Sequence, residues 1–291
     1  MTIKETRMWM LAAILTLSGN MTAHAQDEQP VVDAYFTTSE MPDMMKFLPG
    51  PPDSTSVAFM NDVARYYWGK EMRNNAERAA EAKRDAVYGL ATILTEFEEA
   101  FGMKVSQEET PEIYKVLLEG TATCDSICTI PKREYMRRRP FMVFHETTLA
   151  PDDEEALRKN GSYPSGHTLL GWSAALLMTE INPDRATEIL ARGYRYGENR
   201  LVVGAHWQSD TDAARLAASA AYARLHTSER FLEQMRKARA EFKQKSEQTI
   251  GVRSATVVDH PATRAYRLDG TPANANTQGI VIEDGKKVVR K

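Results

Sequence analysis

The chain has 291 residues, and its 37 basic and 40 acidic side chains give a formal net charge of −3 at pH 7. This balance gives no reason to expect nucleic acid as a partner, and the length suffices for one large domain with a sizeable hydrophobic core. The two cysteines, Cys124 and Cys128, lack the second Cys or His pair of a zinc finger, so no metal site is predicted.

The N-terminus has the layout of a secretory signal peptide. Lys4 and Arg7 form a basic start, residues 8–17 are an apolar run, and residues 23–25 (Ala-His-Ala) are a small-x-small cleavage site. The apolar run is too short to span a bilayer. We therefore predict that residues 1–25 are a signal peptide cleaved after Ala25, that the protein is periplasmic or secreted, and that it makes no stable membrane insertion.

The middle of the chain has the periodicity of helices. Residues 26–52 are rich in proline and predict an extended arm lying over the domain, whereas apolar residues recur at three- and four-residue intervals from residue 54 onward. The predicted helices span residues 56–71, 76–101, 111–118, 154–158, 168–180, 184–198, 207–225 and 228–248. Because strand-like alternation is scarce before residue 250, residues 26–250 are predicted to form a single all-α helical-bundle domain.

The composition becomes β-prone after residue 250. The turn signal Asp284-Gly285 separates the apolar stretches 280–282 and 288–289, and residues 254–258 are also β-prone. We expect residues 251–291 to be a short C-terminal tail, for which a small β hairpin and a loose basic tail ending in Arg290 and Lys291 are the two alternatives.

Cys124 and Cys128 are candidates for a local disulfide, because an exported protein matures in an oxidising compartment. A four-residue spacing within a regular helix would strain the bond, so the bridge predicts a loop or irregular turn here. Two reduced thiols are the alternative.

A first candidate for chemistry is Pro164-Ser165-Gly166-His167. Gly166 lets the backbone approach a ligand closely, and Ser165 suits the N-cap of a helix that starts near Thr168. The free N–H groups and the positive dipole end of that helix attract an oxyanion, beside which His167 would lie. Taken alone, the tetrapeptide is equally compatible with an ordinary capped turn.

The second candidate is the pair Lys132 and Arg139, which lie seven residues apart and so on one face if the segment is helical. Pro131 can begin that helix and Pro140 can end it. Arg139 would give a phosphate forked hydrogen bonds, and Lys132 a point charge. By itself, the basic run is more typical of a solvated face.

The third candidate contains Arg200, His206 and Asp210. Gly204 is predicted to break one helix, which places His206 at the start of the next and Asp210 one turn further on. A hydrogen bond from one ring nitrogen to Asp210 would fix the tautomer and leave the other lone pair free to attack. A capping Asp beside an incidental His is the alternative for this segment alone.

Together the three segments contribute three cations, two histidines and one carboxylate. This set can hold a phosphate dianion, attack its phosphorus and protonate the leaving group, so the sequence predicts a phosphate-processing enzyme.

The three segments resemble the signature of the type 2 phosphatidic-acid-phosphatase/vanadium haloperoxidase superfamily: K-x6-R-P, P-S-G-H and S-R-x5-H-x3-D. Asn199 stands where the family has Ser, and we expect it to weaken a local hydrogen bond rather than abolish activity. Residues 47–52, 58–62 and 206–210 are similar to the secreted bacterial class A non-specific acid phosphatases, and the similarity covers roughly residues 45–245.

The resemblance implies a helical bundle with metal-independent acid phosphatase activity on small phosphate monoesters and no cofactor. It implies that His206 is the nucleophile forming a phosphohistidine, that Asp210 orients it, and that His167 is first the general acid and then the base. The implied phosphate-binding residues are Lys132, Arg139, Ser165, Gly166 and Arg200. Phosphotransfer to alcohols shares the same intermediate, and a homo-oligomer is expected from the resemblance alone.

Two other functions remain open at this point. A vanadium-dependent haloperoxidase would hold vanadate in the same residues with His206 as axial ligand, although the short chain and the flanking sequence disfavour it. A catalytically silent phosphate-binding surface protein is disfavoured by the full set of His167, His206 and Asp210.

Overall fold

The computed structural model describes residues 32–255, 265–268, 270–274, 277–283 and 286–290. The predicted signal peptide at residues 1–25 lies outside the described residues, as do residues 256–258 of the predicted β-prone stretch.

The described chain is mainly helical, which confirms the predicted class. Its helices are α1 (Met44–Phe47), α2 (Val57–Met72), α3 (Ala76–Arg84), α4 (Leu90–Glu96), α5 (Glu98–Phe101), α6 (Pro111–Asp125), α7 (Thr129–Tyr135), α8 (Pro140–Phe144), α9 (Glu154–Arg158), α10 (Gly166–Ile181), α11 (Ala186–Val203), α12 (Gln208–Leu225) and α13 (Glu229–Ala255). Short 3₁₀ turns occur at Thr38–Glu40, Ser126–Cys128, Pro151–Asp153 and Pro183–Arg185. No helix of the described residues is both long enough and apolar enough to cross a membrane.

Helix α10 lies at the centre of the bundle and packs against α6, α11 and α12. It is apolar on nearly every side, as a helix surrounded by others must be. Glycines allow the close approach to α11: a Cβ at Gly171 would lie 2.3 Å from the ring of Tyr196, and one at Gly193 would lie 2.5 Å from Cβ of Ala175. The helices that carry Gly166, His167 and Arg200 are therefore held in direct contact.

The predicted N-terminal arm lies over the domain from residue 33 onward. Tyr35, Met41 and Met44 are buried in the main hydrophobic core. The Tyr163 hydroxyl donates to the carbonyl oxygen of Pro49 at 2.6 Å, which ties the end of the arm down.

Residues 76–101 do not form the single helix that was predicted. Helix α3 ends at Arg84, and α4 begins only after Gly89, whose φ is 137°. The turn between them holds the fully buried Asp85, which pairs with Arg192 at 2.6 Å. Because that partner lies on α11, helical periodicity within the segment gave no sign of the break.

The prediction that Lys132 and Arg139 share a helical face is wrong. Helix α7 ends at Tyr135, and Met136 adopts a left-handed conformation with φ 38°. Arg139 is the extended N-cap of α8, so Pro140 begins a helix instead of ending one.

The predicted disulfide is not formed, since Cys124 and Cys128 are buried free thiols. Cys124 belongs to α6, which runs directly into the 3₁₀ turn ending at Cys128. A continuous helical path holds side chains four residues apart at about 5–6 Å between Cβ atoms, whereas a disulfide needs about 3.5–4.5 Å.

The tail carries a small antiparallel sheet with strand order β2-β1-β3-β4. The strands are β1 (Ala265–Arg267), β2 (Pro272–Ala273), β3 (Gly279–Glu283) and β4 (Lys286–Arg290). Strands β3 and β4 form a hairpin, with Ile282 opposite Lys287. Helix α13 continues to Ala255, so residues 254–255 are helical and not β.

Candidate active site

Five of the predicted site residues line one cavity of about 600 Å³. These residues are Lys132, Arg139, Gly166, His167 and His206. Ser165, Arg200 and Asp210 lie immediately behind its wall: the Ser165 amide donates to the Asp210 carbonyl oxygen at 3.1 Å, and the charge of Arg200 acts on both histidines. Three segments that are distant in sequence thus meet around one space.

Lys132 and Arg139 converge because the chain reverses at the left-handed Met136. The Lys132 ammonium donates to the carbonyl oxygen of Gly161 at 3.0 Å, and Nη2 of Arg139 donates to the same oxygen at 3.3 Å. Only glycine fits at 161, since a Cβ there would lie 2.3 Å from the Lys132 carbonyl oxygen. A backbone carbonyl therefore sets the position of both cations.

His206 is held in a defined orientation between two charged residues. Gly204 ends α11 with φ 84°, and His206 comes just before α12. Its Nδ1 donates to Oδ2 of Asp210 at 3.2 Å, while Nε2 lies 2.8 Å from Nη1 of Arg139. Because Asp210 accepts from Nδ1, we assign the lone pair to Nε2.

The electrostatics keep the His206 ring neutral. Burial first, and then the charges of Arg139, Lys132 and Arg200, hold the pKa of His206 well below its ordinary value of 6.5. A histidine in this state retains its nucleophilic nitrogen at acid pH, where an ordinary imidazole takes up a proton.

His167 lies in the first turn of α10, two residues after the N-cap Ser165, whose Oγ accepts from the Thr168 amide at 3.3 Å. Its Nε2 donates to the carbonyl oxygen of Ala86 at 2.9 Å, which leaves Nδ1 as the other reactive nitrogen. Burial and the nearby Arg200 lower the pKa of His167 well below 6.5. The unpredicted turn at residues 85–89 thus fixes one of the two histidines.

The three cations are strongly desolvated. Burial lowers the pKa of Lys132 to about 8 and the pKa values of Arg139 and Arg200 to about 10. Nε and Nη1 of Arg200 are buried without a hydrogen-bond partner among the residues that the structure describes. Buried charges without partners are costly, so this cluster is suited to receive an anion.

The chain is similar to a known protein family and to known enzymes. The model of the PAP2 superfamily matches residues 114–230. The non-specific acid phosphatase of Providencia stuartii is 43% identical over 209 residues, which cover 72% of this chain and 84% of the relative.

The chain belongs to the PAP2 superfamily.

Two further relatives have similar names. The non-specific acid phosphatase of Salmonella typhimurium (strain LT2) is 36% identical over 216 residues, covering 74% of this chain and 86% of the relative. The acid phosphatase of Zymomonas mobilis subsp. mobilis is 34% identical over 225 residues, covering 77% and 83%. The predicted membership in the class A acid phosphatases of the PAP2 superfamily is confirmed.

Arg137 is not part of the PAP2 signature, but in the structure its guanidinium joins two buried carboxylates beside the site. Its Nη1 donates to Oδ1 of Asp210 at 2.5 Å, and its Nη2 donates to Oδ2 of Asp62 at 2.6 Å. By sequence alone, the basic run that contains Arg137 is more typical of a solvated face. The signal for a buried arginine is Asp62, which lies on the buried side of α2 with Tyr66 and Gly69. A buried carboxylate requires a partner, and a nearby cation is the usual one.

Ser162 is a second residue that sequence reasoning missed. Its hydroxyl donates to Oδ2 of Asp210 and lies 3.3 Å from Nδ1 of His206. The Trp207 amide also donates to that oxygen, at 2.9 Å. The carboxylate that orients His206 is therefore itself fixed by several donors.

Asn199, where this PAP2 member departs from the family's Ser, forms two hydrogen bonds through Nδ2 but leaves its buried Oδ1 without a partner among the described residues. Its Nδ2 donates to Asp85 at 2.6 Å and to Glu81 at 3.0 Å, and the residue is fully buried. These bonds tie α11 to the turn that carries Ala86, the acceptor of His167.

Proposed function

We propose that this protein is an acid phosphatase that hydrolyses small phosphate monoesters outside the cytoplasm. The observation that carries the proposal is the arrangement at His206, whose Nδ1 is bonded to Asp210 while Nε2 faces Arg139 in a cavity lined by cations. The names of the relatives support the reaction. The predicted signal peptide supports a location outside the cytoplasm.

In the first half-reaction, Nε2 of His206 attacks phosphorus. A bond between nitrogen and phosphorus forms as the bond from phosphorus to the leaving oxygen breaks, and His167 gives that oxygen a proton from Nδ1. Asp210 stabilises the positive charge on the phosphorylated ring. The charges of Lys132, Arg139 and Arg200 stabilise the phosphoryl oxygens in the transition state.

In the second half-reaction, His167 accepts a proton from water, and the water oxygen attacks phosphorus. The bond to His206 breaks, and inorganic phosphate is released. An alcohol in place of water would give phosphotransfer. Because three protein cations supply the charge stabilisation that metal ions give in other phosphatases, we propose that the reaction needs no metal.

The lowered pKa values of the two histidines favour catalysis at acid pH. His206 stays neutral there and can attack. His167 must be protonated to act as an acid, and a bound dianion offsets the cations that lower its pKa. Acid pH supplies the proton that this step requires.

The test is hydrolysis of p-nitrophenyl phosphate from pH 4 to 8, with and without EDTA, followed by trapping of the phosphorylated enzyme. We expect activity on the acid side, no loss with chelator, and a phosphohistidine that His206→Ala abolishes. His226→Ala is the matched control, since this histidine also bonds a carboxylate, Glu180 at 3.1 Å, but does not line the cavity. Near wild-type turnover by His206→Ala would exclude the nucleophile, and inhibition by EDTA that added metal reverses would exclude the metal-free reaction.

Export is tested separately by N-terminal sequencing of the protein recovered outside the cytoplasm. We expect the mature chain to begin at Gln26. An intact N-terminus on cytoplasmic protein would contradict the proposal.

A further inference from the structure

Asp125 is an acidic side chain inside the cavity that the proposed mechanism does not use. It is the last residue of α6 and lines the cavity together with Lys132 and Gly166. A Cβ built on Gly166 would lie 3.8 Å from Oδ1 of Asp125 and 3.6 Å from Cε of Lys132. The carboxyl group therefore lies beside the helix start that is proposed to bind phosphate.

The hydrogen-bond partners of Asp125 are neutral groups. The Tyr88 hydroxyl donates to Oδ2 at 2.7 Å, and the Cys128 thiol lies 3.7 Å from Oδ1. Burial raises the pKa of the Cys128 thiol to about 12 and also raises the pKa of Tyr88, so both keep their protons. The donors around this carboxyl group thus carry no charge.

The facing cation does not pair with Asp125 directly. Lys132 acts on it through its charge, but the ammonium donates to Gly161 instead. Among the described residues, Asp125 forms no ion pair within 4.0 Å of a Lys, Arg or His nitrogen. The titratable groups that face it are Tyr88 from the turn after α3, Cys124 and Cys128 from its own segment, and Lys132 from α7.

We propose that Asp125 contacts the bound phosphoryl group as a neutral carboxylic acid and donates a hydrogen bond to one of its oxygens. This rests on the proposed phosphatase function, which places a phosphate dianion in the same cavity. An ionised carboxylate there would repel the dianion, whereas the protonated group supplies one more donor. Binding then requires a proton on Asp125, which makes it a binding residue that restricts the enzyme to acid pH.

Burial raises the pKa of Asp125 above its ordinary value, with Tyr88, Lys132 and Cys128 opposing that shift, in agreement with a carboxyl group that is protonated in acid. Above the pH at which the free protein loses this proton, the affinity for a dianion falls about tenfold per pH unit.

Sulfate is the probe, because its charge stays constant from pH 4.5 to 7.5 and all pH dependence then comes from the protein. Its Kd is measured by calorimetry for the wild-type protein and for Asp125→Asn, whose amide keeps a donor without a charge. We expect the slope of log Kd against pH to decrease by about one unit in Asp125→Asn, with affinity at pH 4.5 within about threefold of wild type. An unchanged slope would overturn the proposal.

Tyr88→Phe provides a second test, which does not require Asp125→Asn to fold. This variant removes the hydrogen bond that favours the ionised carboxylate, so the pH at which sulfate affinity begins to fall should move upward while the slope remains. The assignment to Asp125 would be overturned if the pH at which sulfate affinity begins to fall did not change in Tyr88→Phe. It would also be overturned if Tyr88→Phe lost the pH dependence of log Kd, as Asp125→Asn is expected to do.

Hydrolysis of p-nitrophenyl phosphate by the same proteins separates the two proposals. If the wild type hydrolyses the ester and the sulfate slopes are equal, the Asp125 proposal fails and the phosphatase stands. If the slopes differ but no ester is cleaved and no phosphohistidine forms, the phosphatase proposal fails.

Discussion

Nη1 of Arg137 lies 2.5 Å from Oδ1 of Asp210, whereas Nδ1 of His206 bonds the other carboxylate oxygen, Oδ2. The other end of the guanidinium is bonded to Asp62, and both carboxylates are fully buried. One cation therefore compensates two buried anions and fixes the residue that orients the proposed nucleophile.

Arg137→Ala is expected to reduce both stability and turnover. Leaving two buried carboxylates without their cation costs about 3–5 kcal/mol of unfolding free energy. We expect Arg137→Lys, which keeps the charge but loses the fork, to fold and to lower kcat about 10–100-fold with little change in KM. Arg138→Ala is the matched control, since the side chain of this exposed neighbour bonds only the Met142 carbonyl oxygen among the described residues, and the bond from Trp207 to the Arg138 backbone carbonyl is kept. Equal kcat and KM values for Arg137→Lys and Arg138→Ala would contradict the role of Arg137 in fixing Asp210.

His167→Ala is expected to discriminate between leaving groups. Loss of a general acid lowers rates by about 10²–10⁴-fold where the leaving oxygen needs a proton, as in alkyl phosphates. Aryl phosphates should lose less, because a phenolate leaves more readily. Measured kcat/KM for p-nitrophenyl and glycerol phosphates checks this, and equal losses would contradict the assignment.

Gly166→Ala is expected to impair binding without unfolding the protein. The added methyl group would meet Lys132, Asp125 and Tyr88 at 3.6–4.0 Å, ordinary contact distances, but would occupy cavity space. Displacing the phosphate by about 1 Å can lower kcat/KM about 100-fold. Gly161→Ala should instead reduce the melting temperature, because its methyl group would collide with the Lys132 carbonyl. Wild-type kinetics in Gly166→Ala would show that phosphate lies elsewhere.

Arg200→Met is expected to stabilise the unliganded protein while reducing activity. Two buried nitrogens of Arg200 lack partners among the described residues, so replacing this charge with an apolar side chain should raise the unfolding free energy by about 1–4 kcal/mol. Saturating sulfate should raise the melting temperature of the wild type and not of the variant. By contrast, Arg192→Met should destabilise the protein, because it removes the cation that pairs with the buried Asp85 carboxylate. A lower melting temperature for Arg200→Met would contradict this account.

The lowered pKa values of His167 and His206 are expected to make the free protein sensitive to acid. Their pKa values are lowered in the folded state, so the unfolded chain binds more protons below pH 6.5. Their contribution is complete above pH 6.5 and is lost as pH falls, at up to about 1.4 kcal/mol per pH unit for each histidine. His167→Gln should therefore make urea-unfolding free energies fall less steeply between pH 6 and 5, and an unchanged slope would contradict a lowered pKa of His167 in the folded protein.

Several elements were predictable because their signals are local. Ser165 caps α10 and Gly204 ends α11, as the sequence indicated, and α2 and α11 lie within about two residues of the predicted helix starts at 56 and 184. A cap or a left-handed turn depends on a few neighbouring residues, so it can be read without the fold.

The basic run at residues 132–139 shows what was not predictable. The Arg133 side chain is 73% exposed and pairs with its neighbour, whereas Arg137 is 8% exposed and bonds residues more than 70 positions away. Their sequence surroundings are alike, and only distant carboxylates distinguish them.

The sequence by itself determined the helical class and the set of residues available for phosphate chemistry, since periodicity and residue type are properties of short segments. The tertiary structure decided which charges are buried, where the helix at residues 76–101 breaks, and that Asp125 joins the cavity. The physical reason is that a buried charge is stable only beside its compensating group, and for Asp85, Asp62 and Arg137 that group lies far along the chain.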